Sequence, residues 1–544
     1  MAAPLRRRLS ATWRLVVTPH RGHPASVAER SPLSSSLGAT RQIRTGFFAE
    51  DLDFIDPEGP LLADREGSRW RCMDDPTLQA SVLERSNVGM GMLVLNRSRG
   101  MDLPTVNDLY VRLRNLEVNS LKRFVGLTAV DPGPFCVGLD PQELLLAATA
   151  ARRHGRLPRF SRALLWHYQE LAHLIADFKK PILCQLSGPA SDAGAALACL
   201  ASFSGAYDGS QVSVDSAFAG LAPMGGMSYV LARLKWNLGE FLALTGWQVR
   251  GSDLVYAGLL PHWISPEALP FLELTSEKQL EVSEWDARCL LDEHSLPLPD
   301  GFGDADSLPK WILPLVQHAF SAPSLPGIVE RLRSLVKTGD PQKKNFARTC
   351  LDQMSKASPL ALHVTLGLIR KSAQIYNSAY QANRQRRLDQ DTASSVLREI
   401  MKLELRAQQR LLCSADAVLG LHARCTGRDV SDSLWSRQSI MEVVQEEVED
   451  VIAKPPSPAA GEAADFAIAP RSEMSLSTHP RLRRFHPDYD PATGLDHDPA
   501  WMEAEAQRWS PELFAEERQH TISELLGGAD PSGFGQARYV RGVA

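Results

Sequence analysis

The 544-residue chain predicts an α/β fold that passes into an all-helical part and carries polar extensions at both ends. Three observations carry that reading. Apolar, β-rich runs alternate with amphipathic segments up to about residue 307, the pattern of strands buried between helices. Beyond Leu308 the strand signal stops and only helical periodicities remain. At 44% hydrophobic and 23% charged, the composition is that of a globular chain long enough for a sizeable core.

Residues 1–48 hold eight of the 59 Lys+Arg but only one of the 64 Asp+Glu, Glu29. They are rich in Ser and open on the amphipathic run LRRRLSATWRLVV, which is the composition of a mitochondrial transit peptide. The run RQIRTGFF (41–48) suits its end. A basic arm with another purpose is the alternative. The rest of the chain carries 51 basic against 63 acidic residues, a net charge of −12. A body this acidic is not suited to wrapping nucleic acid unaided.

Residues 49–88 read as an irregular N-terminal extension lying on the main domain. The core, 89–307, contains strand-like runs at Gly91–Ser98, Arg123–Val130 and Pro181–Gly188. Helices are expected at Thr105–Leu121 and at Phe160–Phe178, where Leu164, Tyr168, Leu171, Ile175 and Phe178 make one apolar face. A buried helix is expected at Asp192–Phe203. The helical part, 308–453, holds segments around Trp311–Phe320, Gly327–Val336, Lys343–Ser355, Ser358–Ser378 and Thr392–Leu412. Trp311, Leu313 and Leu315, and facing them Leu360, Leu362 and Leu366, are expected to be largely buried. The charge run Glu442–Asp450 reads as a solvated helix face. A Pro/Ala linker (454–465) opens the tail, 454–544, in which Ser510 and Pro511 begin one helix that ends at Leu526 before Gly527–Gly528.

The generic motifs are absent. No apolar stretch reaches the ~20 residues of a membrane span. No phosphate-binding loop, GxSxG elbow or HExxH pair is present, and Gly89–Gly91 lacks the third glycine of a dinucleotide motif. His167 and His173 read as partly exposed polar positions. The eight cysteines (Cys72, Cys136, Cys184, Cys199, Cys289, Cys350, Cys413, Cys425) stand singly and read as reduced, mostly buried thiols, with no metal site.

Several blocks, in order, resemble the crotonase (enoyl-CoA hydratase/isomerase) superfamily. These are LNRSRGMDLPTVNDLYVRLRNLE (95–117), FCVGLD (135–140) and LGEFLALTGWQVRGSDLVYAGLLPHWISPEAL (238–269). The runs KASPLALHVTLGLIRKS (356–372), EIMKLELRAQQRLL (399–412) and GLHARCTGRDVSDSLWS (420–436) are similar to the C-terminal helices and closing motif of 3-hydroxyisobutyryl-CoA hydrolases. The resemblance spans about 88–440 and implies a crotonase-type ββα core ending near 275.

The resemblance also implies a site. In that family two backbone N–H groups hold the thioester oxygen and acidic side chains move protons. The first N–H falls in Gly138-Leu139-Asp140, with Leu139 as donor. The second falls in a glycine-rich turn that here reads Asp192-Ala193-Gly194, so two of three glycines are replaced. An ionised Asp192 places the wrong charge beside a developing oxyanion; alternatively it N-caps the following helix. The family's glutamate and aspartate positions hold Ser216 and Met224, neither able to act as a base or carboxylate nucleophile. A one-residue gap would instead bring Asp215 to the glutamate place.

Two functions follow as expectations. One is a catalytically degenerate hydrolase-like pseudoenzyme of the mitochondrial matrix. Mitochondrial small ribosomal subunits contain a protein of this resemblance, so their proteins are the expected partners. Contact with rRNA would be limited, no membrane is involved, and the tail anchors Phe485, Tyr489, Trp501 and Trp509 would lie across a partner surface. A tail folded back on its own domain is the alternative. The other function is an active short acyl-CoA thioester hydrolase of valine catabolism using Asp215 or a displaced acid. No cofactor is expected beyond residual CoA-thioester binding, and a homo-oligomer only outside the ribosome.

Overall fold

The computed structural model describes residues 61–63, 70–72, 81–86, 89–96, 100–130, 133–264, 294–296, 307–383, 390–427, 435–453 and 511–525. Two short strands, β1 (Leu61–Ala63) and β2 (Trp70–Cys72), pair antiparallel. β3 (Val82–Ser86) is already part of the main sheet, antiparallel to β4 (Met90–Leu95) with Val82 opposite Leu95. The segment 49–88 is therefore not an irregular extension throughout. Its last turn supplies an edge strand.

β4 shows why these residues sit at the centre. Its side chains alternate between two apolar environments: Leu93 and Leu95 join the main core, while Met90, Met92 and Val94 pack with Phe124, Leu183, Phe203 and Ile264 in a second cluster. A strand apolar on both faces requires cover on both sides. β5 (Phe124–Ala129) and β6 (Ile182–Leu186) are buried along their whole length in the same way. β8 (Phe203–Ala206) and β11 (His262–Trp263) complete the six-stranded order β11-β8-β6-β5-β4-β3, parallel except for β3. A smaller sheet stacks β10 (Val249–Arg250), β9 (Gln211–Ser213) and β7 (Pro189–Ser191).

The connecting helices start where the sequence supplies acceptors for their free N–H groups. Asp102 caps α1 (Leu103–Val118) by accepting from Thr105 N at 3.0 Å. Asp140 caps α2 (Pro141–His154) by accepting from Gln142 N at 2.8 Å. α3 (Arg159–Ala176) follows Pro158 and has no side-chain cap of its own. Its face of Leu164, Tyr168, Leu171 and Ile175 is buried as expected. His173 on the same helix is buried as well, with Nε2 3.4 Å from Ser394 O. It faces a neighbouring helix, not solvent. α4 (Asp192–Leu200) is short and small-residue-rich, followed by α5 (Met227–Ala232), α6 (Leu238–Thr245) and α7 (Asp253–Ala257).

From residue 308 the described chain is helical: α8 (Leu313–Phe320), α9 (Leu325–Thr338), α10 (Pro341–Ser355), α11 (Pro359–Ala382), α12 (Gln390–Leu412), α13 (Ala415–Thr426) and α14 (Gln445–Ala453). Leu362 and Leu366 are buried as expected; Leu313, Leu315 and Leu360 are half-buried. Trp311 is 39% exposed. It lies in a 3₁₀ turn ahead of α8 and meets Phe346 edge-on at 6.2 Å, roofing an aromatic cluster whose buried members are Phe241, Phe320 and Phe346. In α14 the acids turn outward and Val448, Val451 and Ile452 are buried.

The last described helix, α15 (Pro511–Leu525), packs on α2 and α3 of its own core. For this helix the fold-back arrangement replaces the expected position across a partner. Ser510, Leu526 and the anchors Phe485, Tyr489, Trp501 and Trp509 lie outside the described residues, as do the transit-peptide region, the linker 454–465, the core limit near 275 and Cys289. Cys136, Cys184 and Cys350 are buried thiols. No helix among the described residues is long and apolar enough to cross a membrane.

Candidate functional site

Two loops meet at the heart of the core. The first, Phe135–Asp140, leaves β5 and is pinned on both sides by short bridges, Met101 to Leu139 and Cys136 to Ala190. Met101 N donates to Gly138 O at 2.8 Å and Asp140 N to Met101 O at 3.0 Å. The alternation along this extended stretch turns the intervening Leu139 N–H the other way. Gly138 takes φ +83°. Asp140 is buried and spends its carboxylate on the α2 cap, so it is a structural acid here.

The second loop runs from β7 into α4. Asp192 adopts φ +44°, a left-handed conformation natural to the glycine it replaces and tolerated by Asp better than by most side chains. It occupies the first turn of α4, and the N-cap is Ser191, without a side-chain cap bond. The capping role for Asp192 is thus excluded. The two loops touch by backbone at Gly194, where a Cβ would fall 2.2 Å from Cys136 O and 2.6 Å from Gly138 N. Of the three family glycines, the one that no side chain can replace is retained. Ala193 is buried beside Gly138, and first-turn N–H groups such as its own have no acceptor within a helix. The two loops to which the resemblance assigns the oxyanion donors are therefore in backbone contact, with Ala193 against Gly138.

The third strand of the site is the 3₁₀ turn Ser216–Ala219. The structure brings Asp215 and Ser216 directly to Asp192: Asp215 N donates to Asp192 Oδ2 at 3.2 Å. Met224 is buried in the main core, and Gly225 beside it lies against Ala193 and the Tyr168 ring. The residues singled out from the sequence (Gly138, Leu139, Asp140, Asp192, Ala193, Gly194, Asp215, Ser216 and Met224) thus fall in neighbouring segments, Met224 through Gly225 beside it.

Three further participants join them, two of them, Arg424 and Glu404, from distant sequence. Arg424 on α13 donates Nη2 to both oxygens of Asp215. α13 reaches this place because Gly420 packs on the backbone of Ala219 and Gly220 on that of Asp416. Tyr168, fully buried, sets its hydroxyl near Cys136 and Asp192. Glu404 on α12 accepts from Gly226 N and Ser228 N, both at 2.8 Å, and holds the turn that follows Met224.

The electrostatics differ from what the sequence alone implies. Burial, then the charge of Asp215, pushes the Asp192 carboxyl well above the usual carboxylate range. Burial would also raise Asp215, but the Arg424 guanidinium and a hydrogen bond with the Asp192 carboxyl together outweigh it and hold that carboxyl below its ordinary value. The proton rests on Asp192 and the negative charge on Asp215, where Arg424 offsets it. On that side of the site the shift favours the neutral carboxyl over the anion. Burial lifts the Cys136 thiol to about 12, so it is not a nucleophile. Among the described residues no group of three or more His, Cys, Asp or Glu could hold a metal ion.

Comparison with known proteins is consistent across sequence and structure. The sequence pattern of enoyl-CoA hydratase/isomerase matches residues 90–452. The mitochondrial 3-hydroxyisobutyryl-CoA hydrolase of Xenopus tropicalis is 25% identical over 366 residues, 66% of this chain and 85% of the relative. The rat protein of the same name is 25% identical over 379 residues, 69% and 89% of the two chains. In structure, a carnitinyl-CoA dehydratase from Mycobacterium thermoresistibile superposes with a TM-score of 0.56 at 21% identity, covering 70% of this chain and 98% of its own. An enoyl-CoA hydratase from Rhodobacter sphaeroides 2.4.1 gives 0.54 at 25% identity, covering 71% and 100%.

Proposed function

Because this chain belongs to the enoyl-CoA hydratase/isomerase family, with a crotonase-type core, we propose that it is a catalytically degenerate relative of 3-hydroxyisobutyryl-CoA hydrolase. It acts as a structural component of the mitochondrial small ribosomal subunit, in the matrix. The observation that carries the loss of catalysis is the pair of acid positions. Ser216 and buried Met224 stand there, and the adjacent carboxylate, Asp215, is engaged by Arg424. A carboxylate held low by a guanidinium is a poor proton acceptor near neutral pH. Loss of one positioned proton-transfer group typically costs on the order of 10²–10⁴ in rate. The mitochondrial address draws on the basic, acid-poor first 48 residues and on the mitochondrial relatives. The net charge of −12 beyond them favours protein contacts over rRNA.

The test is sedimentation of tagged full-length protein from mitochondrial lysate. It is expected to travel with the small subunit. Recovery only as a free trimer or hexamer, with ribosomes intact, overturns the structural role. A second reading, an active thioester hydrolase, draws on the protonated Asp192 beside ionised Asp215, a division of labour that acid–base catalysis can use. Robust hydrolysis of a short branched 3-hydroxyacyl-CoA, abolished by Asp215→Asn, would establish it in place of the first.

A further inference from the structure

The geometry points to α15 (Pro511–Leu525) as a detachable strap: it completes the uncapped N-terminus of α3, clamps α2, and by its docking sets the order of the Gly138–Asp140 loop. This goes beyond the proposed function and holds whether or not the site turns over.

α3 follows Pro158, whose side chain offers no acceptor, so its first N–H groups lack a local cap. Glu517 of α15 supplies one from 357 residues away, accepting from Arg159 N at 3.0 Å and Phe160 N at 2.9 Å. A carboxylate at that end also meets the positive end of the helix dipole. The next residue, Arg518, forks onto Glu143 in the first turn of α2, with Nε 2.8 and 2.7 Å from the two carboxylate oxygens and Nη2 on one of them. Arg153, in the last turn of α2, donates to Glu524 O at 2.9 Å, and Ile522 is buried at 3% exposure. At about 100° per residue Glu517, Arg518 and Ile522 fall within roughly 140° of the helix circumference, so one side of α15 bears a cap, a fork and an apolar anchor together.

The strap differs from the rest of the core in kind. Among its described side chains, 515–525, the apolar contribution is Ile522 with half-buried Leu525, and the contacts to α2 and α3 are charge-assisted hydrogen bonds. A helix of 15 residues is marginal by itself in water, so α15 keeps its form while docked and loses it on release. Elements of this sort open at low free energy while the core stays closed. The link to the site runs through Arg518. It holds Glu143 in the first turn of α2, three residues beyond Asp140, the residue that caps this helix and ends the Gly138–Asp140 loop. Release leaves Glu143, which is buried, without its guanidinium and frees the first turn of α2.

The test is hydrogen exchange of the full-length protein, read by mass spectrometry on three peptides: 511–525, the start of α3 (159–163) and the loop 135–143. In the unmodified protein all three are expected to be protected. Arg518→Glu is expected to unprotect 511–525 and to speed exchange in the other two on the order of tenfold, the loss of one charge-assisted contact. Glu143→Arg should do the same, and the double reversal Arg518→Glu with Glu143→Arg should restore protection. Ile522→Asp, which removes the apolar anchor that α15 contributes to the main core, should release the strap without unfolding that core. Unprotected 511–525 in the unmodified protein, or α3 and loop exchange unmoved by all three single substitutions, overturns the proposal.

Discussion

Arg424 Nη2 lies 2.8 Å from Asp215 Oδ1 and 2.9 Å from Oδ2, joining α13 to the turn before Ser216 across 209 residues of sequence. The pair divides the charge of the site. Asp215 keeps the negative charge, and Asp192, 3.2 Å from the Asp215 backbone, keeps the proton.

Asp192→Asn is expected to stabilise the protein at neutral pH. A carboxyl whose folded pKa is raised contributes most below its ordinary value, ~3.9, and that contribution is lost as pH rises toward the folded pKa. Asn carries no such loss, still presents an oxygen to Asp215 N, and tolerates φ +44°. Urea denaturation should show a gain of about 1 kcal/mol at pH 7 that shrinks toward pH 4. An equal gain at both pH values would contradict the protonation state assigned here.

Ser216→Glu combined with Met224→Asp should not return a hydrolase to full rate. The new glutamate would stand beside Asp192 and Asp215, and the new aspartate would enter a position now 2% exposed in apolar surroundings. Both carboxyls would be driven toward the neutral form. Steady-state hydrolysis of 3-hydroxyisobutyryl-CoA is expected to stay at least ~10²-fold below that of an intact relative. Adding Asp192→Gly, which removes one crowding acid and suits the positive φ, should raise whatever rate is seen.

Glu404→Ala is expected to destabilise the fold by about 3–5 kcal/mol, because two buried N–H groups, Gly226 and Ser228, lose their acceptor and a void opens. Glu404→Gln keeps one acceptor oxygen and should cost about half as much. Chemical denaturation monitored by tryptophan fluorescence separates the two.

Gly420→Ala should unseat α13. A Cβ there would lie 2.4 Å from Ala219 C and 2.6 Å from its Cα, and backbone cannot give way as a flexible side chain can. A loss of about 2–3 kcal/mol is expected. Arg424 lies one turn onward, so the effect should be non-additive with Arg424→Met in a double-mutant cycle.

Much of this architecture is legible in the chain. β4, β5 and β6 announce themselves as short apolar runs because both of their faces are covered. The helical part reads clearly from its periodicity and its caps, Ser324, Asp340, Ser358 and Ser414. α2 was open to the same reading, with Asp140 as cap, Pro141 at the first turn and Gly155 at the C-cap in the left-handed conformation, yet the loop motif that ends at Asp140 draws attention from it. β8 and β9 are too short and too poor in branched residues to stand out. In the site, backbone positions transfer well because an N–H belongs to every residue except proline. Arg424 and Glu404 do not, since pairing across 209 and 178 residues leaves no local trace, and Tyr168 reads only as a member of the apolar face of α3. Trp311 misleads in a different way: an aromatic residue at the lip of a helix can serve as a roof as readily as a core member.

The cap of α3 also sets a clock. When a chain emerges from its amino end at about 5–20 residues per second, Phe160 is followed by Glu517 only some 20–70 s later. For that interval α3 must persist on the packing of Leu164, Tyr168, Leu171 and Ile175 alone, its first amides bonded to water. α15 is thus a late piece to report on assembly. A chain in which Arg159 and Phe160 are shielded is one already made as far as Glu517.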